Sequence, residues 1–388
     1  MIFKKEVGES LTLKFADFAK QRRAEGGEII SLGLGEPDFE TPKEIVQATI
    51  DALNENNSGY SSPMGLEKLR SLISNKLRIN NSIPANKNNI LITPGAKQAL
   101  QFSLMCLLQP GDEVIVINPS FVSFIPQIYL AEPNAVLKVI DVNKKDFSLP
   151  LEKIEDTVSE KTKVLILNSP NNPSGYLLSP EKLKFIYELA EKYNFYIISD
   201  EVYEGLIFPG EKHVSIGSLE NSINRVFTIN GYSKSHSMTG WRLGYVCFPS
   251  KFELKLLKLQ QHINTNTCTF VQQGMIKAHN IDMNYLKEYN EKLSKRVKVV
   301  HDKVKCIPGI SLTIPKAGFF SFINIQKLGS DSNTFCGRLL LEQGVATTPG
   351  IAFGENWDDH FRLSYAVEDN LLLEGLNLLE EFVTKNYS

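Results

Sequence analysis

The sequence has no surplus of positive charge. Its 42 lysines and arginines are offset by 44 aspartates and glutamates, for a net charge of -2, so no field is available to gather phosphate backbones or anionic lipid headgroups, which argues against a nucleic-acid role. Cysteine is sparse too. Cys106, Cys247, Cys268, Cys306 and Cys336 stand far apart with no C-x-x-C pair, which argues against a disulfide framework or a cysteine zinc site and predicts five buried or half-buried thiols in a reducing compartment. No apolar run approaches the roughly 20 residues that a membrane span needs. Met1 to Ser10 mixes Lys4, Lys5, Glu6 and Glu9, with no apolar segment or small-residue cleavage site after it. No secretory signal is expected, and the protein is placed in the cytoplasm. Internal repeats, low-complexity linkers and long charge blocks are also missing.

The chain does contain enough apolar material for more than one core. With 388 residues, 42% apolar and 22% charged, it has the composition of a globular protein of roughly two domains. Residues 88–120 read as strand, turn, helix, turn, strand. A short β-rich run at 90–93 is broken by Pro94-Gly95, and 96–108 suits a buried helix. Pro110-Gly111-Asp112 then turns the chain into an apolar strand at 114–117. The pattern recurs with a strand at 164–167, a helix opened by Ser179 as N-cap and Pro180 at N1, and strands at 195–199, 226–229 and 243–248. Continuous apolar strands alternating with helices predict an α/β domain around a mainly parallel sheet. After Pro249 amphipathic helix takes over, including 285–305. Strands at 310–314 and 319–325, a helix at 333–343, a strand at 361–365 and a last helix at 368–384 then predict a smaller α+β domain, with the boundary inside a helix.

Four segments carry residues suited to chemistry. In TINGYSKSHSMTGWRLGY, residues 228–245, Lys234 and Arg242 stand eight positions apart. An amine condenses with an aldehyde only when it is deprotonated part of the time, which burial beside another cation promotes; an ordinary surface lysine is the other reading. In IISDEVYEGLIF, residues 197–208, Asp200 directly follows an apolar strand. Open α/β sheets place ligand contacts at the carboxyl ends of parallel strands. A buried carboxylate there needs a partner, whether a protonated pyridine nitrogen, a helix N-terminus or a neighbouring cation. Tyr203 either aims its phenol at the same ligand or is a packed aromatic. NSPNNPSG, residues 168–175, is a stiff run that holds Asn172 for hydrogen bonding or is simply a turn. In TPGAKQAL, residues 93–100, the Pro-Gly turn frees the amides of Ala96 and Lys97 at a helix start, a ready anion site.

Together and in this order, these segments resemble the class I/II aminotransferases, pyridoxal-5′-phosphate (PLP) enzymes of fold type I, and in particular their aspartate and aromatic branch. The resemblance runs from GLGEPDFETP at 33–42, through YSSPMGLEKLR at 60–70, to FRLSYA at 361–366, and SKSHSMTGWRLGY at 233–245 is close to the cofactor-lysine signature. It implies an α/β fold with a large PLP-binding domain at 46–284, built on a mainly parallel, seven-stranded type of sheet, and a smaller α+β domain formed by 1–45 and 285–388. It further implies PLP as cofactor, an amino acid and a 2-oxo acid as substrates, 2-oxoglutarate as acceptor, and ping-pong chemistry.

By the same resemblance, Lys234 would form the Schiff base with the cofactor and later move the substrate proton. Asp200 would keep the pyridine nitrogen protonated, while Tyr203 and Asn172 would donate to the phenolic oxygen. Phe121, in NPSFVSF, would stack on the ring. Arg242 and the amides of Ala96 and Lys97 would hold the phosphate, and Ser233 would be a further cofactor contact. Tyr60 would reach the phosphate of the other subunit, which implies a homodimer with shared active sites. Arg362 would clamp the substrate α-carboxylate, with Gly35 and Asn172 beside it. Cis peptide bonds are expected before Pro119 and Pro173. No metal, nucleic-acid or membrane partner is implied. One position departs from the pattern: Gly231 stands where many relatives carry a serine that bonds the phosphate.

The same fold and lysine also serve lyases, such as C–S lyases and aminocyclopropane-carboxylate synthases, and that alternative stays open. A PLP-binding regulatory domain would need a DNA-binding module, for which the residues ahead of the resemblance leave no room of domain size. The donor is not fixed either. No arginine lies between Arg242 and Arg296, and HINTNTCTF at 262–270 is uncharged apart from His262. One branch of the family places there the partner-subunit arginine that reads the distal carboxylate of aspartate. A broad or neutral-to-aromatic donor range is therefore expected, with aspartate accepted through another arrangement in which Lys14 is a candidate cation.

Overall fold

The computed structural model describes residues 7–387; Met1–Glu6, part of the segment read above for a signal, lie outside the described residues. The chain opens with α1 (Leu11–Ala24), a two-residue strand β1 (Ile30–Ser31), and the helices α2 (Lys43–Asn54) and α3 (Glu67–Asn81). Ile45, Ala48, Thr49 and Ala52 recur at helical spacing and form the buried stripe of α2. Strand and helix then alternate through β2 (Ile90–Thr93), α4 (Ala96–Leu107), β3 (Glu113–Asn118), α5 (Phe124–Ala131), β4 (Val136–Asp141) and α6 (Leu151–Thr157). The run continues with β5 (Thr162–Asn168), α7 (Pro180–Lys192), β6 (Tyr196–Asp200), β7 (Val226–Gly231) and β8 (Gly244–Cys247). Three helices follow: α8 (Glu253–Ile263), α9 (Thr269–Lys277) and the long α10 (Asn284–Cys306). The C-terminal part comprises β9 (Ser311–Leu312), β10 (Phe320–Asn324), α11 (Ser332–Gln343), β11 (Val345–Ala346), β12 (Thr348–Pro349), β13 (His360–Ser364) and α12 (Asp369–Tyr387).

β2 to β8 form one seven-stranded sheet in the order β2-β8-β7-β6-β5-β3-β4. β8 runs antiparallel to both of its neighbours and every other pairing is parallel, so the sheet is mixed but mainly parallel. Successive residues of a strand go to opposite faces. Val114, Val116, Ile166, Ile198 and Ile229 pack with Phe102 of α4 and Leu256 of α8, while Ile115, Leu165 and Ile197 pack with Ile154 of α6 and Leu183 and Ile186 of α7. Burial on both faces explains why these strands show no polar alternation, and each such side chain contributes about 1.5–3 kcal/mol. The carboxyl ends line up: Asn168 faces Asp200, Asp200 faces Ile229, and Gly231 faces Gly244.

A second assembly is the four-stranded antiparallel sheet β12-β13-β10-β9. β1 pairs in parallel with β11, and Ser364 N–H donates to the Leu32 carbonyl at 2.6 Å, so the N-terminal segment is tied to the C-terminal part. Leu293 and Val297 of α10, Phe335 of α11 and Leu376 and Phe382 of α12 share its core. One expectation fails. Cys106, Cys247 and Cys336 are buried and Cys268 is half-buried, but Cys306 is exposed, because it ends α10 in a turn that carries Lys303 and Lys305. Among the described residues no helix is long and apolar enough to cross a membrane.

Candidate active site

The candidate residues gather at the carboxyl edge of the seven-stranded sheet. Asp200, the last residue of β6, is 8% exposed. Among the described residues its carboxylate accepts one N–H, that of Val202 at 3.2 Å. Burial pushes its pKa up to about 6, helped by the adjacent Glu201 and opposed by the Val202 N–H and by Lys234. A carboxyl group in that setting gains from a cationic partner.

Lys234 follows the end of β7. Its ammonium donates to the Gly35 carbonyl and lies 5.9 Å from the centroids of both the Tyr203 and the Phe319 rings. Its pKa is lowered to about 8, chiefly by removal from water and next by Arg362, ahead of Arg242. The cation that chiefly assists is thus not the expected one. Arg242 is exposed and its Nη1 is engaged by the Thr239 carbonyl at 2.7 Å, whereas Arg362 is buried.

Arg362 stands in β13. Its Nη1 donates to Asn172 Oδ1 at 3.0 Å, its Nη2 to the Gly33 carbonyl at 2.8 Å, and its guanidinium carbon lies 4.1 Å from the Phe320 ring centroid. Its Nε is buried without a hydrogen-bond partner among the described residues. Burial lowers its pKa to about 10. Asn172 is held by its own N–H, which donates to Asn168 Oδ1 at 2.8 Å. The peptide bonds before Pro119 and Pro173 are cis as expected, and so is that before Pro170. Tyr203 is buried and hydrogen-bonded to Asn172, and burial raises the pKa of its phenol.

At the other side of the group, Ala96 and Lys97 are the first two residues of α4, so their amides precede the helical hydrogen-bond ladder. The half-buried Phe121 meets Phe124 edge-on at 5.7 Å, and Lys97 Nζ lies 5.6 Å from the Phe121 centroid. Burial and the Arg242 charge lower the Lys97 pKa. Ser233 is buried next to Lys234. A Cβ on Gly231 would stand 3.0 Å from Gly244 Cα and from the Leu243 carbonyl oxygen, so the close pairing of β7 with β8 accounts for the absence of serine there. Tyr60 is not brought into the group; it is 89% exposed.

The sequence profile of the family described as aminotransferase class I and II matches residues 27–379. The chain belongs to this family. An aspartate aminotransferase of Musicola paradisiaca (strain Ech703) is 35% identical over 384 residues, covering 98% of this chain and 96% of the relative. The crystal structure of an aspartate aminotransferase from Thermotoga maritima superposes with a TM-score of 0.90 at 36% identity, covering 97% of this chain and 98% of that one. That of an aromatic aminotransferase from Pyrococcus horikoshii OT3 gives 0.89 at 34% identity, covering 95% and 99%. The protein is a PLP-dependent aminotransferase of fold type I, acting on amino and 2-oxo acids.

The residues present fit PLP. The buried Asp200 carboxylate suits a protonated pyridine nitrogen, and the guanidinium of Arg242 lies against Gly95, where the free amides of α4 begin, which makes one anion site from two sources. Sequence reasoning missed the Gly33 carbonyl, Phe319 and Phe320. The two phenylalanines precede and open a strand and read there as core; nothing local shows that their rings also flank Lys234 and Arg362.

Proposed function

We propose that this aminotransferase moves the amino group of an L-amino acid to 2-oxoglutarate in two ping-pong half-reactions, with aspartate, aromatic and neutral amino acids as donors. One observation carries the reading: Lys234 and Arg362 are held by carbonyls two residues apart, those of Gly35 and Gly33. This sets an amine with a pKa of about 8 beside a buried guanidinium, an arrangement suited to binding an α-carboxylate and working on the neighbouring Cα–H. The relatives named for aspartate and for aromatic amino acids support the donor range.

Bound PLP supplies a ring that takes up the electron pair left when the α-proton is removed. Lys234 would hold the cofactor, and its Nζ, with a pKa of about 8, would accept the substrate α-proton and return a proton. Arg362 offers its unpartnered Nε and its fork to the α-carboxylate, next to Gly35 and Asn172. Asp200 would stay ionised as the partner of the cofactor's ring nitrogen, the Tyr203 hydroxyl and the Asn172 amide would donate hydrogen bonds to the cofactor, and Phe121 would pack on it. Arg242, Ser233 and the amides of Ala96 and Lys97 would hold the phosphate. Tyr60 serves the phosphate of the second subunit in a homodimer, a role supported by its exposure. We read 46–284 as the large domain and 1–45 with 285–388 as the small one, a division supported by the pairing of β1 with β11.

Mixing holoenzyme with L-aspartate and no acceptor tests the reaction type. One equivalent of oxo acid per subunit, followed by arrest, is the expected result; continued product release would assign a lyase.

A further inference from the structure

Residues 33–41 form the loop whose Gly35 and Gly33 carbonyls meet Lys234 and Arg362, and it is fastened on two sides. Toward the lysine segment it is tied by Thr41 Oγ1, which donates to the Ser237 carbonyl at 2.7 Å, and by Thr239 Oγ1, which donates to Glu36 Oε1 at 2.9 Å. Toward the C-terminal part it is tied at Gly33 by Arg362, whose Nη2 donates to the carbonyl at 2.8 Å, and at Asp38 by Arg296, with Lys292 Nζ 3.7 Å from the same carboxylate oxygen but 43% exposed. Arg296 of α10 is 3% exposed; its Nη1 donates to Asp38 Oδ2 at 2.7 Å and its Nε to Asp369 Oδ1 at 2.6 Å, at the start of α12. Nη1 also reaches the Tyr365 carbonyl at 3.2 Å, three residues after Arg362. Tyr289 OH completes the grip by donating to Asp38 Oδ1 at 2.7 Å, and its ring centroid lies 4.5 Å from that of Phe39.

A guanidinium with two carboxylates and a main-chain carbonyl fixes direction as well as distance, which an ammonium does not. Asp369 is largely exposed while Asp38 is 11% exposed, so the Asp38 contact is the one shielded from solvent and the more strongly felt. Nothing in the chemistry proposed above uses Arg296. Its partners do bracket that chemistry, since Asp38 lies three residues after Gly35 and Tyr365 three after Arg362.

We propose that Arg296 is a positioning residue for the α-carboxylate subsite, acting through Asp38 on the loop whose Gly33 and Gly35 carbonyls hold Arg362 and Lys234. The inference rests on the reading of Arg362 as the carboxylate clamp. It predicts a cost in substrate half-saturation and not in cofactor retention, because among the described residues neither Arg296 nor Asp38 is bonded to any residue read as a phosphate or ring contact.

The test is the single half-reaction of holoenzyme with L-aspartate and with L-phenylalanine, followed through the cofactor absorbance, for Arg296→Met, Arg296→Lys, Asp38→Asn and Arg362→Lys. Arg296→Met and Asp38→Asn are expected to raise the half-saturating concentration of both donors on the order of tenfold or more, at unchanged cofactor content. Arg296→Lys is expected in between, and added guanidinium ion is expected to restore part of the Arg296→Met loss. Half-saturation within about twofold of wild type, with activity tracking only the folded fraction, overturns the proposal. Should Arg296→Met not fold, Asp38→Asn decides by the same criterion. If Arg362→Lys leaves half-saturation unchanged, the clamp reading itself fails; if Arg362→Lys raises it and neither Arg296→Met nor Asp38→Asn does, only the role of Arg296 is lost.

Discussion

A Cβ on Gly95 would stand 2.4 Å from Nη2 of Arg242. Gly95 also has a φ of 79° with ψ of 165°, an extended positive-φ conformation that is essentially reserved for glycine and costs other residues about 1–3 kcal/mol. Gly95→Ala therefore displaces the guanidinium from the start of α4 and separates the two halves of the proposed phosphate site. The PLP dissociation constant, measured by equilibrium dialysis, is expected to rise on the order of tenfold or more, as for one lost hydrogen bond to a charged group. Wild-type affinity in that variant would remove Arg242 from the phosphate site.

Lys234→Ala is expected to lower kcat by about 10³-fold or more, the scale of a lost acid–base group. PLP binding should survive in part, since the contacts of Asp200, Tyr203, Arg242 and the α4 amides do not depend on the amine. Steady-state turnover and cofactor content of the purified variant check the two halves separately. Near-normal turnover would show that another base removes the α-proton.

Asp200 gives a pH signature without substrate. Its pKa is about 6 in the folded, cofactor-free chain, against about 3.9 unfolded. A raised folded value means that the stability it contributes is full below about pH 4 and is lost as pH rises through about 6, a loss of about 3 kcal/mol by neutral pH. Asp200→Asn keeps the shape but removes the titration. Compared with wild type, the cofactor-free variant should therefore gain melting temperature between about pH 4 and pH 7 while the holoenzyme loses most of its turnover. A variant and wild type whose melting temperatures stay parallel over that range would refute the buried-carboxylate argument.

The parts of the fold legible in the sequence are those where local pattern and burial coincide. β3, β5, β6 and β7 are apolar runs because both faces are covered, and the ends of β6 and β7 carry Asp200 and precede Lys234, which made these candidate site residues readable by motif. β4 escaped because it is the sheet edge, with Val136 and Val139 exposed and Ile140 buried. β1, β11 and β12 are two residues each, too short for any periodicity to register. Arg296 had no local signal at all, since Asp38 lies 258 residues away in the chain and the pair exists only once the N-terminal loop is laid against α10. Gly231 looked like a missing phosphate ligand in sequence; only the closeness of β8 shows why a side chain is excluded.

Tyr60 is 89% exposed, so its phenol is open to a second subunit. Tyr60→Ala and Lys234→Ala are each expected to be poorly active alone. Co-folded, they should recover about a quarter of wild-type activity, because half of randomly mixed dimers are hybrids and each hybrid has one intact site. No recovery in hybrids isolated by two affinity tags would place Tyr60 outside the neighbouring site.

The donor range turns on where a distal carboxylate can find a cation. Lys14, one sequence-level candidate, is exposed on α1, and His262 is exposed near the end of α8. Lys97 is also exposed but is better placed: its ammonium lies over the Phe121 ring, the proposed cofactor platform, and partial desolvation together with the Arg242 charge lowers its pKa. An ammonium short of counter-charge gains from a carboxylate, and a desolvated carboxylate loses several kcal/mol without one. Lys97→Met should therefore lower kcat/KM for aspartate by about 10²-fold, roughly 2.7 kcal/mol, while changing that for phenylalanine by less than about threefold. In the wild type a single compact cation and no second arginine should leave aspartate ahead of aromatic donors by less than about 10³-fold. Steady-state kinetics on both donors, at saturating 2-oxoglutarate, checks the pair of expectations together. Equal losses for aspartate and phenylalanine would assign Lys97 to the phosphate, and a preference above about 10³-fold that survives Lys97→Met would mean that a dedicated carboxylate pocket lies elsewhere in the site.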